Sequence, residues 1–143
     1  MGLAPYGDYT KCEGVLDKFY PKFENGAVKE HHDFGRVGFW NENGAIQYHF
    51  DESREIRELV KRYGAEHIAA EAQRVLEEQC KNIIYPWMER ENTRSLSASG
   101  GVMLNVKLNQ RLWESGRIEN HHTLQRHPMP CCPHDAFIVH VLV

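Results

Sequence analysis

The sequence predicts an α/β fold, β-rich to about residue 50 and helical over its second half. Three observations carry this. Before residue 50, short apolar or aromatic runs are separated by Asn-Gly pairs, which punctuate antiparallel strands. From Asp51 onward the apolar residues recur at helical spacing. At 143 residues the chain is long enough for a domain with its own core, and no window approaches the ~18 consecutive apolar residues of a spanning helix. With 17 Lys+Arg against 20 Asp+Glu the net charge is −3, so no basic excess is available to grip nucleic-acid phosphates. The first residues show neither a basic n-region nor an apolar h-region, and the expectation is a cytoplasmic chain without membrane association. Cys12 and Cys80 stand alone and Cys131-Cys132 are adjacent, a pattern that predicts reduced thiols rather than a disulfide framework.

The elements follow in order. Val15-Leu16, Phe34 to Trp40 and Ala45 to Phe50 are strand-like runs, with turns at Asn25-Gly26 and Asn43-Gly44. Asn-Gly suits a type I′ hairpin, so Val37 to Trp40 and Ile46 to Phe50 are expected to pair. Ile56, Leu59, Val60 and Tyr63 then mark a first helix, closed by Gly64 in the left-handed conformation. A second helix carries Ile68, Ala72, Val75, Leu76 and Ile83 on its apolar stripe, with Glu66, Glu71, Arg74, Glu77, Glu78 and Lys81 on a solvated side, until Pro86 stops or kinks it. Ser95 to Ala98 read as a strand and Ser99-Gly100-Gly101 as a turn. A third helix then bears Val106, Leu108, Leu112 and Trp113 and ends at Gly116. From Ile118 to Pro133 no period is visible, and the apolar run from Phe137 to Val143 suits a final strand.

The chemistry concentrates at the strand, glycine and helix junction. Gly100-Gly101 let backbone N–H groups approach a phosphate or ribose without a Cβ in the way, and a following helix N-terminus adds about half a unit of positive charge. The same glycines also serve tight turns that bind nothing. Asn105 either reaches a ligand from the helix start or caps local backbone. Gly2 to Gly7, with Pro5 and Tyr6, describe a rigid loop offering backbone donors and one ring.

Three segments occur in order: Met1-Gly2-Leu3-Ala4-Pro5-Tyr6-Gly7, then Gly64-Ala65-Glu66-His67-Ile68-Ala69-Ala70-Glu71-Ala72-Gln73, then Ser99-Gly100-Gly101-Val102-Met103-Leu104-Asn105-Val106-Lys107. Together they make residues 1–119 resemble an interior portion of the nodulation-type O-carbamoyltransferase family. The resemblance implies part of an actin-like (ribonuclease H-like) ATPase-fold domain, shared with threonylcarbamoyl-adenosine synthases, with ATP in a cleft between two α/β lobes. It implies ATP as co-substrate, reacting with carbamoyl phosphate to give carbamoyl-adenylate, and transfer of the carbamoyl group to a hydroxyl of a small molecule. Gly100, Gly101 and Asn105 would then line the nucleotide pocket, and the loop from Gly2 to Gly7 would border it. Such chemistry depends on donors positioned around phosphate charge.

The departures are equally specific. The family holds a divalent metal such as iron through a His-x-x-x-His motif that precedes the Met-Gly-Leu-Ala-Pro-Tyr-Gly segment, and through an aspartate in a downstream Gly-Asp-x-Gly. Here only Asp135, in Pro133-His134-Asp135-Ala136, stands as a candidate for that aspartate. The expectation is a partial catalytic domain over 1–119, inactive alone, its missing lobe supplied by another chain. Residues 120–143 would be an atypical His/Cys/Pro-rich tail, disordered or out of frame. A non-catalytic nucleotide-binding or interaction module is the alternative. A small zinc protein using His121, His122, His127, Cys131, Cys132, His134 and Asp135 is a further one, although the tail lacks zinc-finger ligand spacing. His31-His32-Asp33 read as a solvated loop, and His67 as a partly exposed helix residue.

Overall fold

A computed structural model of the chain describes residues 2–30, 38–40, 46–48, 50–124 and 138–141. The chain divides into two units, Met1–Phe23 with Val28–Leu76, and Glu24–Ala27 with Glu77–Val143.

In the first unit, short 3-10 turns at Ala4–Tyr6, Tyr9–Lys11 and Asp17–Phe19 lead to strands β1 (Lys22–Glu24) and β2 (Ala27–Glu30). Between them Asn25 and Gly26, which belong to the second unit, adopt φ of 53° and 79°, the two left-handed residues that an Asn-Gly hairpin turn requires. Strands β3 (Gly38–Trp40) and β4 (Ile46–Tyr48) pair antiparallel with Phe39 opposite Gln47, as expected, while Asn43-Gly44 and His31-His32-Asp33 lie outside the described residues. Helix α1 (Phe50–Tyr63) ends where expected, with the Gly64 amide donating to the Val60 carbonyl at 2.9 Å and Gly64 at φ 93°. Cys12, Leu16 and Ile68 form the buried centre, packed by Val15, Phe19, Tyr20, Leu59, Val60 and Tyr63. Lys18 pairs with Glu55 at the surface.

Helix α2 (Ala65–Arg90) departs from expectation in its buried face. Its buried face runs through Ile68, Glu71 and Val75, and Ala72 is exposed. Glu71 faces inward because the covering segment brings a backbone N–H, from Gly14, that needs an acceptor more than it needs a methyl group. Of the two outcomes expected at Pro86, a stop does not occur, since α2 continues four residues to Arg90. A proline here leaves the Asn82 carbonyl without its helical donor, and the Gly26 amide of the β1–β2 turn donates to that oxygen at 2.9 Å. Trp87 Nε1 donates to the Gly26 carbonyl at 2.9 Å, closing the second half of the clamp.

In the second unit β5 (Ser95–Ser99) is the central strand of a sheet ordered β6-β5-β7, parallel to β6 (Asn120–Leu124) and antiparallel to β7 (Ile138–Val141). Leu96, Ser97 and Ala98 are consecutively buried, the mark of a strand covered on both faces. Helix α3 (Val106–Glu114) connects β5 to β6 and makes a βαβ unit. Leu108 and Leu112, one turn apart, are fully buried, whereas Val106 and Trp113, the other two apolar residues that marked this helix, are 75% and 55% exposed. A nine-residue helix presents one narrow stripe, and residues 106 and 113 fall on its other side. The segment after Ile118, without period in the sequence, contains a strand because pairing with β5 supplies the ladder that Asn120, His121 and His122 do not signal themselves.

Candidate functional site

The glycine junction lies at the carboxyl end of β5, where α/β units present their ligand-facing loops. Gly100 has φ 104° and ψ 166°, a conformation open essentially to glycine alone. It breaks the strand direction and starts a 3-10 turn, Gly101–Leu104, whose Met103 amide donates to the Gly100 carbonyl at 3.1 Å. A Cβ on Gly101 would meet no atom within 4 Å, so the backbone there faces open space.

Asn105, 4% exposed, accepts through Oδ1 from the Leu108 amide at 3.1 Å and so caps α3. One turn on, Asn109 Nδ2 donates to the Met103 carbonyl at 2.8 Å and ties the 3-10 turn to the helix. Its Oδ1 is buried without a hydrogen-bond partner. Sequence reasoning missed Asn109. The signal was the i, i+4 repeat of asparagine at the start of a short helix.

The other predicted residues lie elsewhere in the chain. Gly2 is exposed with open space around it. Gly7 packs so tightly on α2 that an added Cβ would lie 1.9 Å from the Glu66 carbonyl oxygen, which makes it a docking residue for the N-terminal segment. That segment is held by groups the sequence did not mark. The Asp8 amide donates to His67 Nδ1 at 2.9 Å, the Cys12 thiol to the His67 carbonyl at 3.2 Å, and the Gly14 amide to Glu71 Oε1 at 2.8 Å. Arg74 completes the arrangement with two bonds to the fully buried Glu71 carboxylate, at 2.7 and 2.8 Å, and with its guanidinium 5.7 Å from the Tyr9 ring centre. Thr10, through its hydroxyl and its amide, holds the Asp8 carboxyl below the usual carboxylate range.

Asp135, His127, Cys131, Cys132 and His134 lie outside the described residues. Among the described residues no three His, Cys, Asp or Glu side chains converge on a possible metal position. Burial, then the neighbouring His122, lowers the pKa of His121 on β6. A groove of about 410 Å³ lies at the other end of β5, between Tyr85, Met88, Asn92 and Arg117. Its charges are matched within the chain, Arg94 to Glu119 at 2.6 Å and Arg117 to Glu89 at 2.8 Å.

The family defined as the carbamoyltransferase N-terminus matches residues 1–124, from the docked N-terminal segment through the glycine junction to the end of β6. The chain belongs to this carbamoyltransferase family. Within it, the chain is 30% identical over 122 residues to a protein of Sinorhizobium fredii (strain NBRC 101917 / NGR234) described as nodulation protein NolNO. That match covers 84% of this chain and 16% of the relative, so this carbamoyltransferase-family chain spans about a sixth of the relative's length. No solved structure matches it. Among the described residues no helix is long and apolar enough to cross a membrane.

Proposed function

We propose that the chain forms part of the catalytic domain of a carbamoyltransferase that reacts carbamoyl phosphate with ATP to give carbamoyl-adenylate and then carbamoylates a hydroxyl of a small molecule. An actin-like ATPase fold for the complete domain is part of this reading. The observation that carries it is the Gly100-Gly101 junction at the carboxyl end of β5, inside the residues that the family matches. Gly100 turns the backbone, Gly101 leaves room for a nucleotide to approach it, and Asn105 and Asn109 hold the turn rigid. Donors fixed before the reaction stabilise developing phosphate charge without reorganising. The described residues do not themselves form a metal centre.

Titration calorimetry with ATP and AMP tests the reading. The folded chain binds adenine nucleotide, and Gly101→Trp weakens binding at least tenfold, ~1.4 kcal/mol, with an unchanged thermal midpoint. A folded chain that binds no adenine nucleotide at millimolar concentration would falsify it. Loss of stability in the variant, with normal binding by the folded fraction, would make Gly101 purely structural.

A further inference from the structure

Lys11 Nζ and His67 Nε2 stand 3.4 Å apart at the surface of the first unit. The proton position on His67 follows from its other nitrogen. The Asp8 backbone amide only donates, so Nδ1 carries the lone pair and the neutral ring keeps its hydrogen on Nε2. Lys11 has three donors and no acceptor. Two donors therefore face each other, a contact with nothing favourable in it unless an acceptor joins them. Adding a proton to the ring does not repair it, because the second hydrogen would point at the Asp8 amide.

The backbone that carries both donors is also fixed in place. Asp8 and Cys12, on either side of Lys11, both bond to His67, one at the ring and one at the carbonyl, and Gly7 is wedged against the carbonyl of Glu66. His67 lies in the first turn of α2, where the helix end adds positive potential. The Asp8 carboxylate is occupied by the Thr10 amide at 3.1 Å and the Thr10 hydroxyl at 2.7 Å.

We propose that Lys11 and His67 form a binding site for a phosphate-class oxyanion, whose oxygens accept from Nζ and from Nε2–H together. The site uses none of the residues of the glycine junction, so it stands or falls apart from the nucleotide reading. The test follows the His67 ring nitrogens by ¹H–¹⁵N correlation NMR, assigned with a His67→Gln variant, while inorganic phosphate or AMP is added at constant ionic strength. The free chain is expected to show the Nε2–H tautomer and a saturable shift at Nε2. Lys11→Met is expected to weaken binding at least tenfold with an unchanged thermal midpoint, and Gly101→Trp to leave phosphate binding as it was. Saturation by both ligands supports a site for the phosphoryl group on any carrier. Saturation by inorganic phosphate alone supports a site for the free anion. An Nδ1–H tautomer, a shift that does not saturate with either ligand, or undiminished affinity in Lys11→Met overturns the proposal.

Discussion

Glu71 shows how much one side chain can decide. It is fully buried, accepts from the Gly14 amide and from two nitrogens of Arg74, and so ties the N-terminal segment to α2. Glu71→Ala removes the buried acceptor of the Gly14 amide together with two bonds of the Arg74 guanidinium, and a loss of about 3–5 kcal/mol is expected. Urea denaturation measures it, and a loss below ~1 kcal/mol would show that water replaces the carboxylate. The two glycines of the junction should separate cleanly. Gly100→Ala forces a Cβ into a glycine-only conformation and is expected to cost about 1–3 kcal/mol, whereas Gly101→Ala stays within about 0.5 kcal/mol. Equal thermal midpoints would contradict that assignment. Of these residues the sequence marked both glycines and Asn105, because turn and cap chemistry is local. It did not mark Glu71, whose charge pattern with Arg74 is that of an ordinary solvated helix face. Only a segment 57 residues away makes it a core residue.

Among the elements, the β3–β4 hairpin, the Asn25-Gly26 turn, the close of α1 at Gly64 and the strand before the glycine junction were legible, each through a short-range signal, whereas the apolar pair Val15-Leu16, expected within the β section, lies in a turn because it packs into the buried centre around Cys12 and Ile68. The end of α2 was not, because Pro86 normally breaks a helix and here its missing donor is offset by Gly26. Restoring an N–H by Pro86→Ala supplies Asn82 with an intrahelical donor that competes with Gly26. The Gly26 amide is then expected to lose protection from hydrogen exchange by tenfold or more, while the α2 amides keep theirs. Unchanged protection at Gly26 would mean that Trp87 alone holds the turn. Gly26→Ala is the harsher change, since its Cβ would lie 2.7 Å from Trp87 Nε1 at φ 79°. Strand β6 was illegible for the opposite reason. Its pairing with β5 is non-local, and its histidines carry no strand signal.

At the scale of the whole molecule, buried ionisable groups set the pH range of stability. Burial, then Glu77, pushes the Cys80 thiol up to about 11 from an ordinary 9.0. An unfolded chain releases that proton near pH 9 and the folded chain does not, so stability is complete below 9 and falls from there to about 11, by up to about 3 kcal/mol. Denaturation curves between pH 8 and 11 check this, and Cys80→Ala should flatten that limb whatever it costs at neutral pH. An unaltered slope in the variant would place the cause elsewhere. The contacts that lock the N-terminal segment have a different chain-wide effect. Asp8 waits for His67, 59 residues later, and Gly14 for Glu71, 57 residues later. At a synthesis rate of ~5–20 residues per second, that is roughly 3–12 s during which a growing chain carries this segment with nothing to dock against. The segment bearing Met-Gly-Leu-Ala-Pro-Tyr-Gly is thus made well before the helix that receives it, and a nascent-chain chaperone has a clear opportunity in that interval.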